Sequence, residues 1–162
     1  MVITMRKYNS ITYGKLTEEE VFQKIKEEIV EKSNEEIIIT VGTDSQTHYL
    51  TKVVNVIAIC YVGKGGKWFD HIHYLKRIDN VRQKVYNETS ESIEIGKRLM
   101  EFLFDNDLDF QIIIHVDIGE SSKGKTKNLI KQIAGWVISE GFEFEYKPNS
   151  GTASTIADRI SK

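Results

Sequence analysis

The stretch Glu36–Asp44, EIIITVGTD, is β-branched from Ile37 to Val41 and then breaks into Gly42-Thr43-Asp44. A short continuous apolar run closed by a turn signal reads as a buried strand. A second run, Gln111–Asp117 (QIIIHVD), has the same build and also ends in an aspartate. Alternate side chains of a strand share a face. Ile38, Thr40, Gly42 and Asp44 therefore share one face of the first run, and Ile113, His115 and Asp117 one face of the second. If the two strands are parallel neighbours, both carboxylates stand at one end of a sheet, which is where α/β sheets build their sites.

Between these runs, Thr51–Val62 and Lys67–Arg77 read as strands joined by a turn containing Gly63, Gly65 and Gly66, a hairpin. Asp79–Lys84 is a charged connection. From Lys84 to Phe104 the period becomes helical, with Val85, Ser92, Ile95, Leu99 and Leu103 on one side. Gly119–Lys127 reads as a lysine-rich loop. Residues 128–140 form a helix with Leu129, Ile130, Ile133, Trp136 and Val137, stopped by Gly141. Phe142–Tyr146 is a short fifth strand and Thr152–Ile160 a closing helix. Upstream, residues 1–16 are an arm without clear period. Thr17 and Glu20 make a capping box that opens a helix with the stripe Val21, Phe22, Ile25 and Ile29. Its other face, with Lys24, Glu27, Glu28, Glu31 and Lys32, is expected in water. The expected fold is α/β: a mixed five-stranded sheet, a three-strand meander followed by helix-linked strands, flanked by helices and preceded by an extra N-terminal helix. One domain spans 1–162, with the arm and helix in 1–35 and the core in 36–162.

The chain has 162 residues, 40% hydrophobic and 28% charged, an ordinary globular mixture. Its net charge of −2 excludes a globally basic nucleic-acid binder but not a local basic surface. One cysteine, Cys60, allows no internal disulfide. No apolar run approaches the ~20 residues that span a bilayer, and the N-terminus lacks a secretory apolar core. The expected location is the cytoplasm.

Two carboxylates placed together repel one another, and a divalent cation removes the penalty. Hard Mg²⁺ or Mn²⁺ prefers such oxygen ligands. Glu88 lies ~60° from Val85 and ~40° from Ser92 around its helix at ~100° per residue, so it points toward the sheet-facing sector. Glu91 falls further round and Glu94 opposite. Asp158 is a fourth candidate. Each has a plainer role open to it: a loop cap for Asp44 or Asp117, a helix-dipole partner for Glu88, a surface pair with Arg159 or Lys162 for Asp158.

This arrangement resembles the ribonuclease H-like superfamily: an Asp on the first strand of a meander, a Glu on the following helix, an Asp ending the fourth strand, and a late Ala157-Asp158 pair. More narrowly it is similar to the YkuK-type family of that superfamily. The match is carried by Gly42-Thr43-Asp44-Ser45-Gln46, Glu88-Thr89-Ser90, His115-Val116-Asp117-Ile118-Gly119, Lys147-Pro148 and Ala153-Ser154, with Thr17 and Glu20 upstream. The resemblance implies a ribonuclease H-like fold and phosphodiester hydrolysis with two metals. Asp44 and Asp117 would be the central ligands, Glu88 would complete the first site and Asp158 the second. The alternative is a non-catalytic nucleic-acid-binding or scaffolding module on the same fold.

Gly119-Glu120-Ser121-Ser122-Lys123-Gly124-Lys125-Thr126 also satisfies the P-loop pattern between a strand and a helix. Too little chain follows it for the further parallel units of a nucleotide-binding core. The same lysines offer a phosphate-binding rim, so Lys123, Lys125 and Lys127, with Lys147, are the candidate nucleic-acid contacts. Lys76, Arg77, Arg82 and Lys84 form a second basic stretch. Trp68, Phe69 and Tyr74 beside it are expected in the core rather than as base-stacking rings. His71 and His73 share a strand face without completing a zinc pattern. His115 is expected to be buried. His48 is expected in a loop, with proton transfer as its other possible use. Nucleic acid is the expected partner, with DNA, RNA, hybrid and branched forms all open. No membrane partner is expected, and oligomeric state is not read from the sequence.

Overall fold

The computed structural model describes residues 6–118 and 124–146, the side chains of 124–126 excepted. Its elements run β1 (Lys7–Ser10), β2 (Gly14–Thr17), α1 (Glu18–Glu31), β3 (Ile37–Thr47), β4 (Thr51–Tyr61), β5 (Gly65–Leu75), α2 (Val81–Asp105), β6 (Ile112–Val116), α3 (Gly124–Ser139) and β7 (Glu143–Tyr146). The class is α/β and the meander β3-β4-β5 is antiparallel throughout, as expected.

The sheet has seven strands rather than five, in the order β2-β1-β5-β4-β3-β6-β7. The extra pair comes from the arm, which folds as a hairpin, with Asn9 of β1 opposite Asp70 of β5. Each arm strand has four residues and one buried apolar side chain, Tyr8 or Leu16. Period-two alternation cannot be recognised over so short a span. β3 also runs three residues past Asp44, so that aspartate lies inside the strand rather than at its end.

Thr17 caps α1. Its hydroxyl accepts the Glu20 N–H at 3.2 Å, while its own N–H donates to the Glu20 carboxylate at 3.0 Å. Val21, Phe22, Ile25 and Ile29 are buried as their spacing requires. Glu28 is buried too, against expectation. Tyr13 and Tyr61 donate hydrogen bonds to it, and Lys67 both hydrogen-bonds and ion-pairs with it. A buried charge persists only when so paired. α2 begins three residues before its expected start, capped by Asn80, whose side chain accepts the Gln83 N–H at 3.0 Å. α3 likewise starts at Gly124, so Lys125 and Lys127 stand on helix rather than loop. It ends at Ser139, and Gly141 turns the chain into β7 at φ +94, a conformation open to glycine.

α1, α2 and α3 send their apolar residues into one cluster on one face of the sheet, with Ile39, Val41, Ile57, Ile59, Ile112 and Ile114. The opposite face carries a separate cluster of Val54, Val56 and Ala58, against which Cys60, Trp68 and Ile72 pack. Among the described residues no helix joins that second cluster; the expected closing helix at 152–160 lies outside them. No described helix is long and apolar enough to cross a membrane.

Candidate active site

β3 and β6 are parallel neighbours, with Gly42 opposite His115. Two residues further along each chain stand Asp44 and Asp117. Asp44 is buried and Asp117 half-buried. Cross-strand partners share a face, so Asp44, opposite Val54, stands on the face away from the helices. Thr43 and Ser45 then face α2. Thr43 Oγ1 and Ser92 Oγ are 2.8 Å apart, and the Ser45 hydroxyl donates to the Glu88 carboxylate. Sequence spacing brought out Asp44 and Glu88. Their geometric link, Ser45, was visible only as part of a motif, because a serine in a strand carries no periodic signal.

Glu88 is 4% exposed. Burial pushes its carboxyl up to about 8; the negative charges of Asp44 and Asp117 push the same way, against the Ser45 hydrogen bond and the Lys84 charge. Without a counter-charge this carboxyl therefore holds its proton at neutral pH.

One turn further along α2, Glu91 is also buried, where the helix wheel had set it outside the inward sector. Burial raises its carboxyl, and His73, Asn55 and Arg6 more than reverse the effect, leaving it below the usual range. His73 Nε2 lies 2.6 Å from Glu91 Oε1. Asn55 donates to Glu91 at 3.2 Å and to Thr43 at 2.9 Å, and Arg6 donates to Asn55 at 2.8 Å. Asn87 donates to the other Glu91 oxygen at 3.1 Å. α2 thus presents two buried carboxylates one turn apart whose surroundings push them in opposite directions, an arrangement typical of sites that divide acid and base roles. The inward arc of α2 is wide enough to hold both because the strand ends beneath it are polar: Thr43, Ser45, Asn55 and His73.

The remaining expected residues are placed as follows. His71 and His73 share a face, their rings 5.5 Å apart, and His71 Nδ1 meets the Lys7 carbonyl at 2.9 Å. His115 is buried and His48 exposed. Phe69 is core, Trp68 is half-buried, and Tyr74 is 61% exposed, contrary to its expected place in the core. Lys127 is exposed on α3, and the side chain of Lys125 is outside the described residues. Lys123, Lys147 and Asp158 also lie outside them, as does most of the segment 119–126 that matches the P-loop pattern.

Among the described residues no three His, Cys, Asp or Glu side chains make a group able to hold a metal ion. The donor chemistry nonetheless suits a hard divalent cation. Asp44 and Asp117, on two parallel strands, both act electrostatically on Glu88 of α2, and all three are oxygen donors.

Comparison with known proteins agrees with this architecture. The family described as Ribonuclease H-like matches residues 20–162. The chain is similar to the uncharacterised protein YkuK of Bacillus subtilis (strain 168), 29% identical over 168 aligned positions that cover 96% of each chain. No solved structure matches it. The antiparallel meander, the parallel strand beside it and the family match over most of the length lead to one assignment: the chain belongs to the ribonuclease H-like family, of the YkuK type.

Proposed function

We propose that this protein is a divalent-metal-dependent nuclease that hydrolyses phosphodiester bonds of a nucleic acid. The observation that carries this reading is Glu88: a carboxyl buried over the end of β3, raised by its burial and by the charges of Asp44 and Asp117. Such a site gains most from a bound cation. Asp44, Glu88 and Asp117 would hold Mg²⁺ or Mn²⁺, with Asp158 as a further ligand from the C-terminal segment. When bound, the cation supplies a Lewis acid and lowers the pKa of a coordinated water. The chain's own work is positional. Ser45 holds the Glu88 carboxylate at the strand end, and Lys84 sets a positive charge one helical turn before it. Lys123, Lys125, Lys127 and Lys147 would neutralise substrate phosphates.

The test is cleavage of a labelled panel of single- and double-stranded DNA and RNA, hybrid and junction, with Mn²⁺ or Mg²⁺. Activity that requires metal and disappears in both Asp44→Asn and Asp117→Asn supports the reading. A second reading is a non-catalytic nucleic-acid-binding module on the same fold, which needs only cations such as the exposed Lys127 on α3. It predicts binding across the panel without cleavage.

A further inference from the structure

The tip of the β3–β4 hairpin, residues 48–50, stands at the carboxylate end of the sheet. Tyr49 there is 92% exposed and Leu50 48%. Tyr74, 61% exposed, pairs across β5 with Lys52 of β4. A single exposed aromatic side chain is ordinary. Here one tyrosine stands at the tip and another on the adjoining strand, opposite Lys52.

The tip is braced from below. Thr47 Oγ1 donates to the Ile78 carbonyl at 2.9 Å, and the Ile78 N–H donates to Thr51 Oγ1 at 2.9 Å. Arg77 donates to the His48 carbonyl at 2.6 Å, which ties the segment after β5 to the turn itself. A backbone already held by hydrogen bonds has little further freedom to lose when a ligand covers the side chains it carries.

The position relative to the carboxylates follows from strand register. Asp44, Val54 and Ile72 form one row across the sheet, and Gln46, Lys52 and Tyr74 form the next row on the same face. Two residues along a strand advance ~7 Å. Tyr74 and Lys52 thus stand one row beyond Asp44, on its face. Lys52 shares the row with Tyr74, and Lys76 and Arg77 follow it in the chain, Arg77 paired to Asp79 at 2.6 Å.

Exposed aromatic faces interleaved with cations complement a strand whose bases are free to stack and whose phosphates need neutralising. A duplex hides its base faces against neighbouring bases and offers them nothing. Building on the nuclease reading, we infer that Tyr49 and Tyr74, with Lys52 and Arg77, form a stacking platform that takes unpaired nucleotides and leads a single-stranded nucleic acid toward Asp44.

The experiment measures binding by fluorescence anisotropy in EDTA, so that affinity is read apart from cleavage. The probes are single-stranded DNA, single-stranded RNA, duplex DNA and a fully abasic strand of equal length. The proteins are the wild type, Tyr49→Ala/Tyr74→Ala and Tyr49→Phe/Tyr74→Phe, with melting curves to confirm folding. The alanine pair is expected to weaken binding of a single strand by about tenfold or more, and the phenylalanine pair by no more than about twofold. The abasic strand should bind the wild type weakly and be indifferent to the alanine pair. Whichever of DNA and RNA loses more affinity is the strand the platform serves. An alanine pair that binds single strands within about twofold of the wild type overturns the inference, as does equal loss on the abasic strand, or a wild type that binds no single strand. Cleavage is assayed in parallel with Mn²⁺. Tyrosine-dependent binding without cleavage overturns the nuclease reading and keeps the platform; metal-dependent cleavage with tyrosine-independent binding does the reverse.

Discussion

The hydroxyl of Ser45, on the helix-covered face of β3, hydrogen-bonds to the carboxylate of Glu88 on α2, 43 residues later in the chain. This bond joins the motif on β3 to the acid on the helix. Asp44, between Thr43 and Ser45, faces the other way, so the strand presents an aspartate on one face and the glutamate's partner on the other.

Ser45→Ala removes that donor and leaves a buried Glu88 oxygen without it. The expected loss of stability is about 1–3 kcal/mol, read as a melting temperature lowered by several degrees. Metal-dependent cleavage should fall as well, because the carboxylate loses its orientation. A variant with wild-type melting and wild-type cleavage would remove Ser45 from the site.

Asp44→Asn deletes one of the two charges that press on Glu88. In chelator at pH 9, where the Glu88 carboxyl is ionised, the variant should melt higher than the wild type, by about 1 kcal/mol of stability. Mn²⁺ should raise the wild-type melting temperature progressively, by about 2.7 kcal/mol of stability at a hundred times the dissociation constant, and leave the variant unmoved. A destabilised variant beside a wild type indifferent to millimolar Mn²⁺ would make Asp44 a structural residue.

Glu28 gives the protein an acid-sensitive joint far from the carboxylate end. Burial raises its carboxyl, but hydrogen bonds from Lys67, Tyr61 and Tyr13 and the Lys67 charge outweigh it and hold it at about 2. The folded value is below the unfolded one of about 4.3, so the unfolded chain binds the proton more readily. The stabilisation is therefore fully present above about pH 4.3 and is lost as pH falls toward 2, on the order of 3 kcal/mol in all. Glu28→Gln should lose about 3–5 kcal/mol at neutral pH, since Lys67 is left without its carboxylate, and should show a flatter acid limb. Urea titrations at pH 2.5, 4 and 7 measure both; parallel acid limbs for the two proteins would refute the assignment.

Gly66 sits opposite Cys60 in the β4–β5 ladder. A Cβ at this position would stand 2.3 Å from the Ile59 carbonyl oxygen and 3.0 Å from the Cys60 Cα. Both are backbone atoms and cannot swing aside. Gly66→Ala should cost about 1–3 kcal/mol and loosen this end of the hairpin, seen as faster amide exchange at Tyr61 and Lys67. Unchanged exchange would mean the strands separate there at no cost.

Much of the fold was legible because hydrophobic period is a local property. The runs at 37–41 and 112–114, the Thr17–Glu20 box and the inward row from Val85 to Leu103 each declare their element within a dozen residues. The arm did not, since β1 and β2 have one buried apolar residue each; β1 gains its place from pairing with β5, some sixty residues on, and β2 from pairing with β1. Glu28 and Glu91 misled for a related reason: charge in a helix reads as a wet face unless the partners that neutralise it are known. Those partners, Lys67 and Tyr61 for one and His73 and Asn55 for the other, come from strands that the helix meets only after folding.

By itself, then, the sequence determined the strands β3 to β7 and the helices α1 to α3, that two apolar strands carry aspartates, and that a glutamate on the intervening helix turns inward, because alternation and helical period are written residue by residue. The tertiary structure decided that β3 and β6 lie side by side in parallel, that Ser45 rather than Asp44 meets Glu88, and that Tyr74 stands in water beside the hairpin tip. Those outcomes depend on register and on which face a neighbouring element covers, and both arise from long-range packing that no local pattern encodes.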